Sequence, residues 1–328
     1  MSRLRIGVMG CSGFARRAML PALKQCGELE LVAVASRSAD KADRMAAEFG
    51  CRGVAGYGEL LKRSDVDAVY VPLPTGLHEE WCSKALQAGK HLLVEKSFAA
   101  TAAAAAAMAE LARRGNRLVV ENFQFQTHSQ WARLASFMAL GEIGEVHLVR
   151  STFGFPPLPK DNFRWNPALG GGALLDAGAY MAKVSQLLLG EGLEVRGASL
   201  QMDDETGVDR YGEALLRNAQ GQAAQVAFGF DYFYQCRVEL LGTKGKVSAG
   251  RVFTAPPDFA PILSIETPEG TRQETLAPDN AYANMWRRFA AAAASGDYRR
   301  HLEILLDQAR LLGEIRSAAE EPSRQRTP

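Results

Sequence analysis

At 328 residues, with 47% hydrophobic and 23% charged residues and a formal net charge of +1, the chain has the makeup of a soluble protein of about two domains. A charge balance this even excludes bulk attraction to nucleic acid or to a membrane surface, so neither is expected as a partner. Five cysteines, at 11, 26, 51, 82 and 236, form no CxxC pair and point to reduced thiols in the cytoplasm.

The start, MSRLRIGVMG, runs directly into an apolar, strand-like segment with no signal-peptide pattern. From 1 to 122, the apolar runs RIGVMG, LELVAVAS, VDAVYVPLP, HLLVEK and RLVVENF alternate with helix-like segments. Unbroken apolar strands separated by helices predict a doubly wound α/β domain with a parallel sheet covered on both faces. The uncharged run SFAATAAAAAAMA at 97–109 is alanine-rich and shorter than the ~18 residues of a membrane span, which predicts a packed helix.

GVMGCSGFARRAMLPAL follows the first strand and opens a helix, the setting of a dinucleotide-binding turn. Gly10 allows the tight turn, Ser12 is small enough for a pyrophosphate to approach the backbone, and Ala15 allows close helix–strand packing. Cys11, Gly13 and Phe14 complete the segment expected to face the cofactor. At the end of the second strand, VASRSADK presents Ser36, Arg37 and Lys41 where NAD-preferring sites place an acidic residue. The planar donor fork of Arg37 suits a ribose 2′-phosphate, so NADP(H) is the expected cofactor, with NAD(H) the other option. A solvated basic loop is the plainer reading of the same residues.

HLLVEKSFA places Glu95 and Lys96 at the carboxyl end of the HLLVEK strand, the edge where open α/β sheets bind ligands. Lys96 can donate a hydrogen bond to a substrate oxygen, although strand-end lysines are commonly just solvated. Asn122, at the end of the RLVVENF run, is a candidate contact to nicotinamide.

After 145 the runs lengthen and alternate, with glycine-bearing connections at Gly221, Gly245 and Gly270. These predict an α+β second domain built on a large, mostly antiparallel open sheet. Helices are expected at about 128–140, 172–189, 280–294 and 300–319. The domains are drawn as 1–122 and 123–300, with the 300–319 helix free to pack back on the first and 320–328 expected to fray.

Within the second half, GGGALLDAGAY at 170–180 puts Asp176 and Tyr180 at i and i+4, on one face of a helix that follows three glycines. A phenol beside a lysine ammonium is easier to deprotonate, so Tyr180 and Lys96 could together protonate a carbonyl oxygen as hydride reaches its carbon. Helix capping and packing is the plainer role for Asp176 and Tyr180. His128 is a candidate for the substrate cleft, and Arg164 and Trp165 for gripping a phosphate and stacking on a sugar or base. The aromatic run FGFDYFYQC at 228–236 reads as core or subunit contact. No residue spacing suggests a metal site.

GCSGFARRAMLPAL, VPLPTGLHEEWCSKALQAGKHLLVEK, GEIGEV and GGGALLDAGAY, in that order, resemble the Gfo/Idh/MocA family of glucose–fructose oxidoreductases and inositol dehydrogenases. The resemblance implies an N-terminal Rossmann domain, a sheet-rich substrate domain that often forms the oligomer interface, and nicotinamide-dependent redox chemistry on sugars or polyols. Lys96 matches the lysine of the family's E-K-P motif, and Asp176 the aspartate of its D-x-G-x-H motif. Pro74, Thr75 and His78 match its P-N-x-x-H segment near the cofactor, with Leu73 beside them. Ser97 stands where the family has proline, which leaves open whether the peptide before it is cis. Tyr180 stands where many members have histidine, a variant similar to sugar-nucleotide 3-ketoreductases and implying tyrosine as the proton donor.

The expected function is therefore NADP(H)-dependent reduction of a keto-sugar, nucleotide-linked, by a homo-oligomer that associates through the second-domain sheet. A sugar or cyclitol dehydrogenase running the other way is the nearest alternative, and a dinucleotide-sensing regulator without catalysis is the alternative from another class.

Overall fold

A computed structural model describes residues 3–320. Of the segment expected to fray, 320–328, Glu320 ends the helix Arg299–Glu320, and residues 321–328 lie outside the described residues. The chain divides into two compact units, one formed by residues up to Thr127 together with Asn280–Leu306, the other by His128–Asp279 together with the chain from Asp307.

The first unit holds six strands: β1 (Leu4–Met9), β2 (Leu29–Ser36), β3 (Arg52–Ala55), β4 (Ala68–Val71), β5 (His91–Glu95) and β6 (Val119–Asn122). Their order is β3-β2-β1-β4-β5-β6, all parallel, as their apolar character predicts. Every residue of β4 is buried, as are the three central residues of β5, so helices cover both faces. The chain order reverses between β1 and β4, and the carboxyl ends of those two strands are where such sheets form a ligand crevice.

The helix Ala281–Ser295, expected in the second domain, belongs instead to this unit. Its buried side is aromatic: Trp286 is fully buried, meets Tyr70 edge-on at 5.6 Å and Phe289 at 6.2 Å, and donates its indole N–H to the Met19 carbonyl at 2.8 Å. That apolar stripe fits the core around Met19, Leu20 and Tyr70, which decides where the helix goes.

The second unit is built on eight strands: β7 (Val146–Gly154), β8 (Glu194–Met202), β9 (Asp209–Arg217), β10 (Ala223–Gly229), β11 (Gln235–Gly242), β12 (Lys246–Gly250), β13 (Ile262–Thr267) and β14 (Gly270–Thr275). They run in the order β14-β13-β12-β11-β7-β10-β9-β8, antiparallel except where β7 lies parallel to β10. The helix Ala179–Leu189 packs on β7 and β10, and nearly all of it is buried, from Ala179 through Gln186. The other face of these strands carries Arg150, Thr152, Glu213, Leu215, Gln225 and Ala227, among which Leu215 is 40% exposed.

Burial pushes the imidazoles of His78, His91, His128 and His301 below their ordinary value of 6.5. Each stays neutral in the folded protein, whereas the unfolded chain takes up protons as pH falls through about 6.5. Stability present above that pH is therefore expected to decline below it, with net proton uptake on unfolding at about pH 6. A thermal midpoint that holds constant from about pH 7.5 to 5.5 would contradict this.

Candidate active site

In the first unit the turn after β1 is set by Gly10, whose φ of +117° lies in the region that favours glycine. A Cβ there would also sit 2.9 Å from Leu73 Cδ2, so the turn after β1 packs directly on the segment after β4. The Ser12 hydroxyl accepts the Ala15 N–H at 3.0 Å and thereby caps the helical segment that follows. Ala15 is fully buried against the sheet, and Phe14 packs edge-on against Tyr282 at 5.9 Å. The Cys11 thiol lies 3.5 Å from the Lys41 carbonyl, and burial raises its pKa.

At the end of β2, Ser36 is buried and its hydroxyl accepts the Ser38 N–H at 3.2 Å, while Arg37 and Lys41 are exposed. The Tyr57 phenol lies near Arg37; burial raises the phenol's pKa and the Arg37 charge opposes that rise. Tyr57 stacks edge-on against Trp81 at 5.0 Å, and the Lys84 ammonium lies 4.4 Å from the Trp81 ring centre. This tyrosine carries no motif in the sequence, and only the fold brings it beside Gly10 and Arg37.

The end of β5 is braced from below. Glu95 accepts hydrogen bonds from the Tyr70 hydroxyl and the Asn122 amide, both at 2.6 Å, and burial raises its pKa in spite of both bonds and the neighbouring Lys96 charge. The Lys96–Ser97 peptide is cis. Glu121 accepts the Phe98 N–H at 2.8 Å, which holds the chain just after it. His78 has no exposed surface; Nε2 lies 2.8 Å from the Leu73 carbonyl, and Nδ1 lies 2.9 and 3.2 Å from those of Ser97 and Phe98. Asn122 is likewise unexposed, and its Oδ1 has no partner among the described residues. Both were expected to touch the cofactor. Both are fully enclosed, and their hydrogen bonds link the chain at the ends of β4, β5 and β6; Pro74 and Thr75 follow in the same segment, with Thr75 8% exposed.

In the second unit the helix bearing Asp176 and Tyr180 opens with a π-wound turn, Leu174–Gly178, and continues as α-helix. Tyr180 is 8% exposed and wedged between Phe153 at 5.0 Å and Phe253 at 5.6 Å. Asp176 is gripped by Arg164, with Nε to Oδ2 at 2.6 Å and Nη2 to Oδ1 at 3.1 Å. Burial works against the Arg164 charge, but the charges of Asp176 and Tyr180 and the hydrogen bonds to Asp176 more than compensate and raise its pKa. The glycines ahead of the helix serve this packing. A Cβ on Gly171 would lie 2.4 Å from the Arg164 carbonyl oxygen, and one on Gly172, at φ +110°, 2.2 Å from Asp209. Asp209, 5% exposed, accepts the Leu174 N–H at the start of the helix, and burial raises its pKa.

Trp165 is spent on structure: its N–H donates to the Leu158 carbonyl at 3.1 Å and its ring meets Phe230 edge-on at 5.0 Å. His128, 2% exposed, caps the helix Ser129–Ala139 by accepting the Gln130 N–H at 3.2 Å. Trp165 and His128 were candidate substrate contacts, and their burial leaves little surface for that role.

Among the described residues no group of His, Cys, Asp or Glu could hold a metal ion, and no helix is long and apolar enough to cross a membrane. Residues 4–123 match the model of an oxidoreductase family with an NAD-binding Rossmann fold, and residues 131–248 match the GFO/IDH/MocA C-terminal domain. The chain belongs to the GFO/IDH/MocA oxidoreductase family. Within that family it is 46% identical over 263 residues to the dTDP-3,4-didehydro-2,6-dideoxy-alpha-D-glucose 3-reductase of Saccharopolyspora spinosa, covering 80% of this chain and 79% of the relative. The reductase of the same name from Streptomyces violaceoruber is 41% identical, with 96% of this chain and 95% of that one covered. A 3-ketoreductase from Actinomadura kijaniata, solved in complex with NADP and TDP-benzene, is similar at a TM-score of 0.94 and 40% identity over 97% of this chain and 98% of the other.

Proposed function

We propose that the protein is an NADPH-dependent reductase that acts on a ring carbonyl of a nucleotide-linked keto-sugar. The observation that carries this reading is the likeness, over nearly the full length of both chains, to a 3-ketoreductase solved with NADP and TDP-benzene. In that enzyme a lysine and a tyrosine have been substituted that are spaced along its chain as Lys96 and Tyr180 are here.

The residues of the first unit fit NADP(H). The backbone from Gly10 through Cys11, Ser12, Gly13 and Phe14 to Ala15 leads into a helix whose N–H groups suit a pyrophosphate. Ser36, Arg37 and Lys41 supply a hydroxyl and two cations for a 2′-phosphate, and Leu73, Pro74 and Thr75 line the edge after β4. When bound, NADPH supplies the hydride for the carbonyl carbon. Tyr180 gives the proton to the carbonyl oxygen, Lys96 orients that oxygen and favours the phenolate left behind, and Asp176 positions a neighbouring hydroxyl. Glu95, Asn122 and His78 hold Lys96 in place.

Turnover of dTDP-3,4-didehydro-2,6-dideoxyglucose, followed by NADPH absorbance, tests the assignment. Reduction of the nucleotide sugar with NADPH and none of the free sugar is expected. Oxidation of free sugars as the faster reaction would instead favour the dehydrogenase reading, for which the 32%-identical D-xylose 1-dehydrogenase (NADP(+)) 2 of Haloferax volcanii is the relevant relative. We assign the protein to the reducing cytoplasm, in keeping with five unpaired cysteines. We also assign the uncovered face of the second sheet, around Leu215 and Ala227, to contact with a second copy; a monomeric mass by light scattering would refute this.

A further inference from the structure

We infer that Arg164 is a positioning residue that acts through Asp176, and that it fixes the π-wound turn leading to Tyr180 rather than binding a substrate phosphate. The inference rests on the proposed roles of Asp176 and Tyr180.

Arg164 is itself held at several points. It sits in a short 3-10 turn, Phe163–Trp165, capped by the Asn162 side chain, which accepts the Arg164 N–H at 3.1 Å. Its carbonyl accepts the Gly172 N–H at 3.0 Å, and Gly171 lies so close to that carbonyl that no side chain fits between them. Its guanidinium lies 4.7 Å from the Phe163 ring centre. From this base the fork reaches both oxygens of Asp176, and the two side chains are only 26% and 11% exposed. A bidentate pair of this kind fixes orientation as well as distance.

The turn needs such an external hold. A π-wound segment has hydrogen bonds of five-residue span, and a slip to ordinary α-winding would rotate every later side chain about the helix axis. Asp209 holds the beginning of the segment by accepting the Leu174 N–H, and Arg164 holds Asp176 within it. Tyr180, one turn on, inherits its direction from both. Moving the guanidinium away to grip a phosphate would give up the two-point hold of Nε and Nη2 on the largely buried Asp176 carboxylate.

The test compares Arg164→Met, Arg164→Lys, Asp176→Asn and the double variant R164M/D176N in steady-state reduction of the nucleotide keto-sugar. Arg164→Met is expected to lower kcat by about tenfold to a hundredfold, the usual cost of a small misplacement, with KM for the sugar within about twofold. Arg164→Lys should recover part of the loss, since it restores the charge without the fork. The double variant should be no worse than D176N alone. A KM increase of tenfold or more with kcat unchanged would overturn the proposal in favour of a phosphate contact, as would losses that multiply in the double variant. If Arg164→Met fails to fold, the Lys variant and its single-turnover hydride-transfer rate carry the same comparison. Loss of the underlying reading looks different: the parent enzyme would then ignore nucleotide keto-sugars, or Tyr180→Phe would leave kcat intact.

Discussion

Replacing Lys96 by Met and Tyr180 by Phe together is expected to lower turnover of the nucleotide keto-sugar by roughly 10² to 10⁴, the usual worth of positioned proton transfer. Tyr180→Phe alone should cost less, because the Lys96 ammonium remains as a second donor to the carbonyl oxygen. Both changes are close to isosteric. Tyr180 loses only its hydroxyl, so its ring contacts with Phe153 and Phe253 persist. Lys96→Met keeps an unbranched stem of similar length. NADPH affinity, measured by fluorescence, should stay within a few-fold of the parent. Turnover of the double variant within about threefold of the parent would remove both residues from the chemistry.

Arg37→Asp should weaken NADPH binding by about 10²-fold while leaving NADH nearly unaffected, which reverses the cofactor preference. The change removes a charge-assisted pair with the 2′-phosphate and puts a repelling carboxylate in its place, and two such effects of about 1.4 kcal/mol each give that factor. The same carboxylate can accept from the ribose hydroxyls of NADH. Equal affinity of the parent protein for the two cofactors would defeat the assignment.

Much of the candidate site was legible because each piece is local. Gly10, Ser12 and Ala15 fall on one turn, and Ser36, Arg37 and Lys41 on the next strand end. The Asp176–Tyr180 spacing is visible in eleven residues. What the sequence left hidden also has a local cause. Sequence periodicity marks Arg164 as a cation and Asp176 as an anion, but shows nothing of the 3-10 turn that folds one back on the other. His78 and Asn122 read as contacts because they sit in the right segments, whereas their full burial is a property of the assembled edge.

Patterns along the chain were enough to specify the two sheets, their mainly parallel and antiparallel character, the glycine turn after β1 and the basic end of β2. These follow from hydrophobic period, glycine placement and side-chain chemistry over a few residues. Packing between distant segments was needed to bring Tyr57 near Arg37, to brace Glu95 with Tyr70 and Asn122, to set Asp209 at the start of the helix of Tyr180, and to add the helix around Trp286 to the first unit. Each of these pairs is brought together by strand order or by apolar packing between segments far apart in the chain. Local patterns record which side of an element is buried, but not which distant partner buries it.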